Sequence, residues 1–151
     1  MSFSIVINLL NKKISNDIER AYAEEEQQLK KKIEAIAGIF NPCEYGQDKR
    51  LANCPLDKSI KTFHNLNKAI APFEVIKTIQ RTHKQITKDI EEYGLNIGQH
   101  ITINGDIAIA SLMTVFLNSN IMTPIKWSMY AQHFSYIDYK IGEVSIFLCR
   151  V

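Results

Sequence analysis

Hydrophobic positions in this chain recur mostly at intervals of three and four residues, the spacing that puts side chains on one face of a helix. Phe3, Val6, Leu10 and Ile14 predict a short first helix. Ser15-Asn16-Asp17 supplies N-cap candidates for a second, longer one, whose apolar stripe is Ile18, Tyr22, Leu29, Ile33, Ile36 and Phe40. The stripe breaks at Glu25-Glu26, which predicts looser packing there. Gly38 and Asn41-Pro42 end that helix. Residues 41–55 read as a loop bounded by two prolines, and Leu56, Ile60, Phe63 and Leu66 predict a helix ending near Asn67 or Ala71. Pro72 suits the first turn of the next helix. Its stripe of Phe73, Ile76, Ile79, His83, Ile86 and Ile90 is the clearest amphipathic pattern in the chain, with His83 on the apolar side and Tyr93-Gly94 as the close.

Residues 94–105 form a second loop, in which Ile101-Thr102-Ile103 alternates as a brief strand would but has no evident partner. Asn104-Gly105-Asp106 then introduces Ile107 to Leu117, a run without any charge. A helix that is apolar on every side is buried, so 106–119 is predicted as a core helix, stopped by Asn118-Ser119-Asn120. Thr123-Pro124 begins a helix through about Phe134. Gly142-Glu143 begins a last helical segment that runs to Val151. With no strand run able to build a sheet, the class is all-α, a helical bundle.

Length and composition narrow this picture. The 151 residues make one domain, and 46% hydrophobic with 23% charged residues describes a folded chain rather than a disordered one. A net charge of +2 gives no reason to expect nucleic acid as a partner. Cys43, Cys54 and Cys149 are widely spaced and odd in number, so they supply neither a disulfide framework nor a metal knuckle and fit a reducing, cytoplasmic compartment. The opening residues lack the basic start and cleavage site of a secretory signal. No apolar run approaches the roughly 20 residues a bilayer helix needs, so no intrinsic membrane insertion is expected. Of eighteen basic and sixteen acidic residues only six (Asp106, Lys126, Asp138, Lys140, Glu143 and Arg150) lie beyond position 100. The last third is therefore core or binding face. Lys30-Lys31-Lys32 follows Glu24-Glu25-Glu26, with Glu26 and Lys30 a favourable i,i+4 pair, and reads as a solvated helix face.

A search for chemistry excludes most enzyme classes. The chain has no glycine-rich phosphate loop, no nucleophile elbow and no paired metal ligands, so neither a cofactor nor a metal is expected. His64, His83, His100 and His133 stand alone, and a near-terminal Cys149 in apolar sequence reads as packing. What remains is Asp106. Asp is a preferred N-cap, worth ~1 kcal/mol, and suits the positive end of the helix dipole. The same placement puts a carboxylate near solvent beside a large apolar surface, which equally describes a protein-binding face.

Ala71 to Ile79, the following loop, and then Gly105-Asp106 with its apolar helix resemble the vacuolar-protein-sorting-nine domain, a family of helical guanine-nucleotide exchange factors for endosomal Rab GTPases. Asp106 to Asn120 takes the family's acidic-residue, apolar-helix and turn stretch without a gap. Tyr130 and Phe134 take the aromatic positions of the next helix, and Gly142-Glu143 takes its Gly-Glu. The resemblance covers residues 56–151 as an exchange domain ending inside its final helix, and residues 1–55 as the flanking helical bundle. It implies an acidic-finger mechanism, in which Asp106 enters the nucleotide site of a Rab-five-like GTPase, competes for the P-loop lysine and displaces magnesium, without covalent chemistry. It assigns Ala110, Ile146 and Cys149 to the GTPase contact, where the family carries proline, tyrosine and threonine. Recruitment to endosomal membranes is implied with it. A non-catalytic helical interaction module, binding a partner without exchanging its nucleotide, is the other reading these substitutions motivate.

Overall fold

The computed structural model describes residues 3–46 and 48–134, and every regular element among them is helical. The order is α1 (Phe3–Ala21), α2 (Ala23–Ile36), α3 (Asp57–His64), α4 (Pro72–Asn96), α5 (Gly105–Asn118) and α6 (Pro124–Phe134), with short 3-10 turns at Pro42–Tyr45, Lys49–Asn53 and Asn65–Lys68. The fold is all-α. Ile101-Thr102-Ile103 forms no strand among the described residues: Ile101 is buried within an irregular loop, since a lone alternating tripeptide has no neighbour to pair its backbone groups. The helix expected from Gly142-Glu143 onward lies outside the described residues.

α1 runs straight through Ser15-Asn16-Asp17, so these residues do not start a helix. Tyr22 donates its N–H to the Ile18 carbonyl at 3.1 Å and Glu26 donates to the Tyr22 carbonyl at 2.9 Å, which leaves α1 and α2 separated by Tyr22 alone. Cap residues break a helix only where the backbone leaves helical geometry, and here it does not. α2 does end where glycine permits: Gly38 takes φ +79°, the left-handed conformation of a C-terminal cap, while the Phe40 N–H returns to the Ile36 carbonyl at 2.9 Å.

Contacts divide the described residues into two units, the first from residues 3–32, Asn65–Thr78 and 121–134, the second from Ile33–His64 and Ile79–Asn120.

In the first unit, α1 packs on α6, with Tyr130 buried and its hydroxyl donating to the Asn11 carbonyl at 3.3 Å. Glu26 does not loosen this packing. It falls on the stripe of Tyr22, Leu29 and Ile33, is only 8% exposed, and accepts the Lys126 N–H at 2.9 Å. A side chain from α2 thereby caps the first turn of α6, satisfying one of the donors that every helix start leaves open. The Lys126 ammonium lies over the Trp127 ring at 4.1 Å and donates to Glu19 at 2.6 Å. Burial pushes the Glu26 carboxyl above its ordinary value, and the bonds from the α6 backbone only partly offset that. At the start of α4, Glu74 reaches back to accept the Ile70 and Ala71 N–H groups at 2.6 and 3.1 Å, and these bonds hold its carboxyl below the usual range.

In the second unit, Asp89 is the buried centre, 4% exposed. Its carboxylate accepts the Ser59 hydroxyl at 2.6 Å, the Ser59 N–H at 3.2 Å and the Gln85 amide at 2.9 Å, so one side chain of α4 fixes α3 against it. Ile76, Ile79, Ile86 and Ile90 of the expected stripe are buried, joined by Val75, Thr82 and Asp89, whereas the assignment of Phe73 and His83 to it is corrected: both are exposed. Polar Thr82 and Asp89 occupy core positions that a hydrophobic pattern passes over. Gly94 does not close the helix, which continues to Asn96, but it is needed there. A Cβ at Gly94 would sit 2.7 Å from the Gln99 carbonyl, where the chain folds back and the Gln99 N–H meets the Gly94 carbonyl at 2.8 Å.

Two outcomes follow. A carboxyl raised by folding binds its proton more tightly in the native state, so its contribution to stability is lost as pH rises from the unfolded value of 4.5 through the folded one. Glu26→Gln, which keeps the capping oxygen, is therefore expected to melt higher than the parent at pH 7 and to lose that advantage toward pH 4.5, in thermal scans across that range. Asp89→Ala is expected to cost roughly 3 kcal/mol in urea titration, because it leaves buried donors on Ser59 without a partner. Glu92→Ala, which breaks only an exposed pair with Lys58, leaves the midpoint nearly unchanged.

Candidate functional site

The start of α5 is where an exposed carboxylate, apolar surface and a fixed backbone coincide. Asn104 takes extended geometry (φ −104°) and its side-chain oxygen accepts the Ile107 N–H at 2.9 Å, while its carbonyl accepts the Ala108 N–H at 3.0 Å. Asn104 is therefore the N-cap, and the capping role considered for Asp106 is corrected. The cap must stand just outside the helix, and Asp106 is already its second residue. The Asp106 side chain is exposed in the first turn, at the positive end of the helix dipole.

α5 is held along its length and at its far end. Phe63 of α3 meets Phe116 edge-on at 6.3 Å between ring centres. Ser119 caps the C-terminus with its N–H on the Phe116 carbonyl, its hydroxyl donates to the Val115 carbonyl, and the His64 Nδ1 donates to the Ser119 carbonyl at 2.7 Å. Asn120 then turns the chain away at φ +49°. Ile107, Leu112, Val115 and Leu117 are buried, but the helix is not buried all round: Ile109 is 46% exposed. Asp106, Ile109 and Ala110 share one face by helical spacing.

That face is bordered by the Pro42–Tyr45 turn, which packs on α5. Asn41 caps the turn by accepting the Cys43 N–H at 3.0 Å, and donates its amide to the Ala52 carbonyl at 3.0 Å. The buried Cys43 sulfur lies 3.4 Å from the Thr114 hydroxyl, and a Cβ placed on Gly46 would touch the Ala110 methyl at 3.8 Å. Tyr45, the last residue of this turn, stacks on Phe40 at 5.2 Å between ring centres with their planes 20° apart. Tyr45 is 76% exposed.

Of the residues assigned from the sequence, Asp106 and Ala110 lie together on α5, Asp106 exposed and Ala110 half-buried against the turn. Ile146 and Cys149 fall outside the described residues. Tyr130 is core rather than surface. Tyr45 and Gly46 lie in the stretch 41–55 that the sequence presents as a connector, and Phe40, expected on the apolar stripe of the second helix, is exposed beyond the end of α2. The available signal is an Asn-Pro start followed by Tyr45 in a stretch too rigid, with two prolines, to be a plain linker.

The surroundings supply no covalent chemistry. Burial, and then the charge of Asp89, push the Cys54 thiol up to about 12, so it is a poor nucleophile. Among the described residues no three His, Cys, Asp or Glu side chains converge on a metal position. What the site offers is a carboxylate and an apolar rim on a rigid support, which is equipment for binding. The chain matches no family model, no curated protein and no solved structure.

The division of labour at the helix start is directly measurable. Asn104→Ala is expected to cost about 1 kcal/mol in urea unfolding, and Asp106→Asn less than about half of that, because only the first removes a bond to the helix backbone. Equal losses would mean that Asp106 is structural.

Proposed function

We propose that this chain is a guanine-nucleotide exchange factor for a small GTPase of the endosomal Rab-five-like subfamily, with Asp106 as the group that displaces nucleotide. The observation that carries the reading is that Asp106 stands exposed on the first turn of a firmly anchored helix while Asn104 does the capping. A carboxylate that carried the cap would have its oxygens turned onto its own backbone. This one is available to a partner, and the ordered resemblance from Asp106 through Asn120 to Gly142-Glu143 supports giving it the finger role.

The chemistry required is modest. Magnesium at a GTPase site is held mainly by phosphates and few protein groups, and the P-loop lysine is balanced by the same phosphates. A carboxylate inserted there takes the lysine's charge and repels the phosphates, so it binds the nucleotide-free state in preference to the loaded one. That preference is all that exchange needs. Ala110, with Ile146 and Cys149, would supply apolar contact to the GTPase switches. The chain would act in the cytoplasm and be drawn to endosomal membranes by its partner; no helix of the described residues is long and apolar enough to cross a bilayer.

The second reading, a non-catalytic helical interaction module, is favoured by Ile146 and Cys149, because the family's tyrosine and threonine hydroxyls are missing at those positions. One assay separates the two. Fluorescent GDP loaded on a panel of Rab-five-like GTPases is expected to be released faster with the chain present, and Asp106→Ala to remove at least about 90% of that acceleration, an effect of ~1.4 kcal/mol or more. A chain that holds a GTPase equally well with GDP, with GTP and without nucleotide, and accelerates nothing, is the interaction module instead.

A further inference from the structure

We infer that the stacked Phe40–Tyr45 pair is the second half of the partner-binding face, a rigid aromatic anchor for an apolar side chain that the partner presents next to a lysine or arginine. The identity of that partner as the GTPase rests on the reading above; the anchor itself follows from the second unit alone.

Exposed aromatics are ordinarily costly surface, and this one is held in place rather than left loose. Pro42 and Cys43 are buried, Asn41 caps the turn, and the turn packs on α5. Tyr45 is stacked on Phe40, so its ring gives up little further freedom on binding. A large rigid ring with a polar tip is the residue type that dominates binding energy at protein interfaces. Ile39, the residue before Phe40, is 86% exposed, and Ile109 on α5 is exposed as well.

Charge decides what fits there. The exposed ionisable groups on the turn and the start of α5 are the carboxylates of Glu44 and Asp106. Asp48 is already paired with Arg50, whose guanidinium also donates to Gln99. Lys49 belongs to the following turn. An exposed aromatic pair with Glu44 in its turn, and Asp106 at the start of the helix on which that turn packs, complements a partner that carries a hydrophobic residue beside a cation, and repels an anionic membrane.

The test measures the affinity of the full chain for a nucleotide-free Rab-five-like GTPase, alongside release of fluorescent GDP and a thermal scan of each variant. Tyr45→Ala is expected to weaken binding at least tenfold with an unchanged melting midpoint, and Tyr45→Phe to bind as the parent does. Raising the salt concentration is expected to weaken the parent's binding. Parental affinity in Tyr45→Ala overturns the anchor while leaving the exchange reading intact, provided Asp106→Ala still abolishes release. Faster release by Tyr45→Ala also overturns it, since the turn would then be a cover that the partner must displace. A parent that binds none of the GTPases overturns both.

Discussion

The geometry of the second unit hangs on the carboxylate of Asp89. It accepts three hydrogen bonds, two from Ser59 and one from Gln85, and so ties α3 to α4 from a buried position. α3 in turn sets α5, through Phe63 against Phe116 and through the His64 ring on the Ser119 carbonyl. A buried acid with all its bonds made is costly to disturb, because removing it strands its donors. The tip of α5 is thus precise at its exposed end because it is fastened elsewhere, by groups that take no part in any recognition.

The same economy appears at the helix starts, where the residue that caps is not the residue that local pattern favours. Asn104 caps α5 and leaves Asp106 to solvent. Glu26 caps α6 from another helix, and Glu74 caps its own helix from within. In each case the orphan N–H groups choose the oxygen that geometry delivers. For α5 the consequence is an exposed acid one turn before exposed Ile109, on a helix that packs against the turn carrying Tyr45.

Much of this was legible in the residues. The all-α class, the breaks at Gly38, Asn118-Ser119-Asn120 and Thr123-Pro124, and the start of α4 at Pro72 follow from periodicity and turn chemistry and match the structure. The failures share one cause. Patterns score a polar residue as surface, so Glu26 was a gap in a stripe and Asp89 and Thr82 went unnoticed, although each is buried and the two acids are bonded across elements. His83 is exposed although Ile76 and Ile90, on the same side of the helix, are buried, so periodicity alone does not place it. The Ser15-Asn16-Asp17 break failed because a cap signal inside a continuing helix is merely a polar turn of it. The candidate site was half legible: Asp106 and Ala110 were named, whereas the aromatic turn is contributed by residues sixty positions distant, which no local pattern joins to them.

The central claim is that one surface, the start of α5 with the Phe40–Tyr45 turn, meets the partner. Amide hydrogen exchange of the chain with and without a nucleotide-free Rab-five-like GTPase tests it most directly. The account predicts slowed exchange at 39–46 and 105–110 together, with α1 and the buried middle of α4 unchanged. Slowing confined to other segments, with both of these stretches unaffected in a saturated complex, would contradict it.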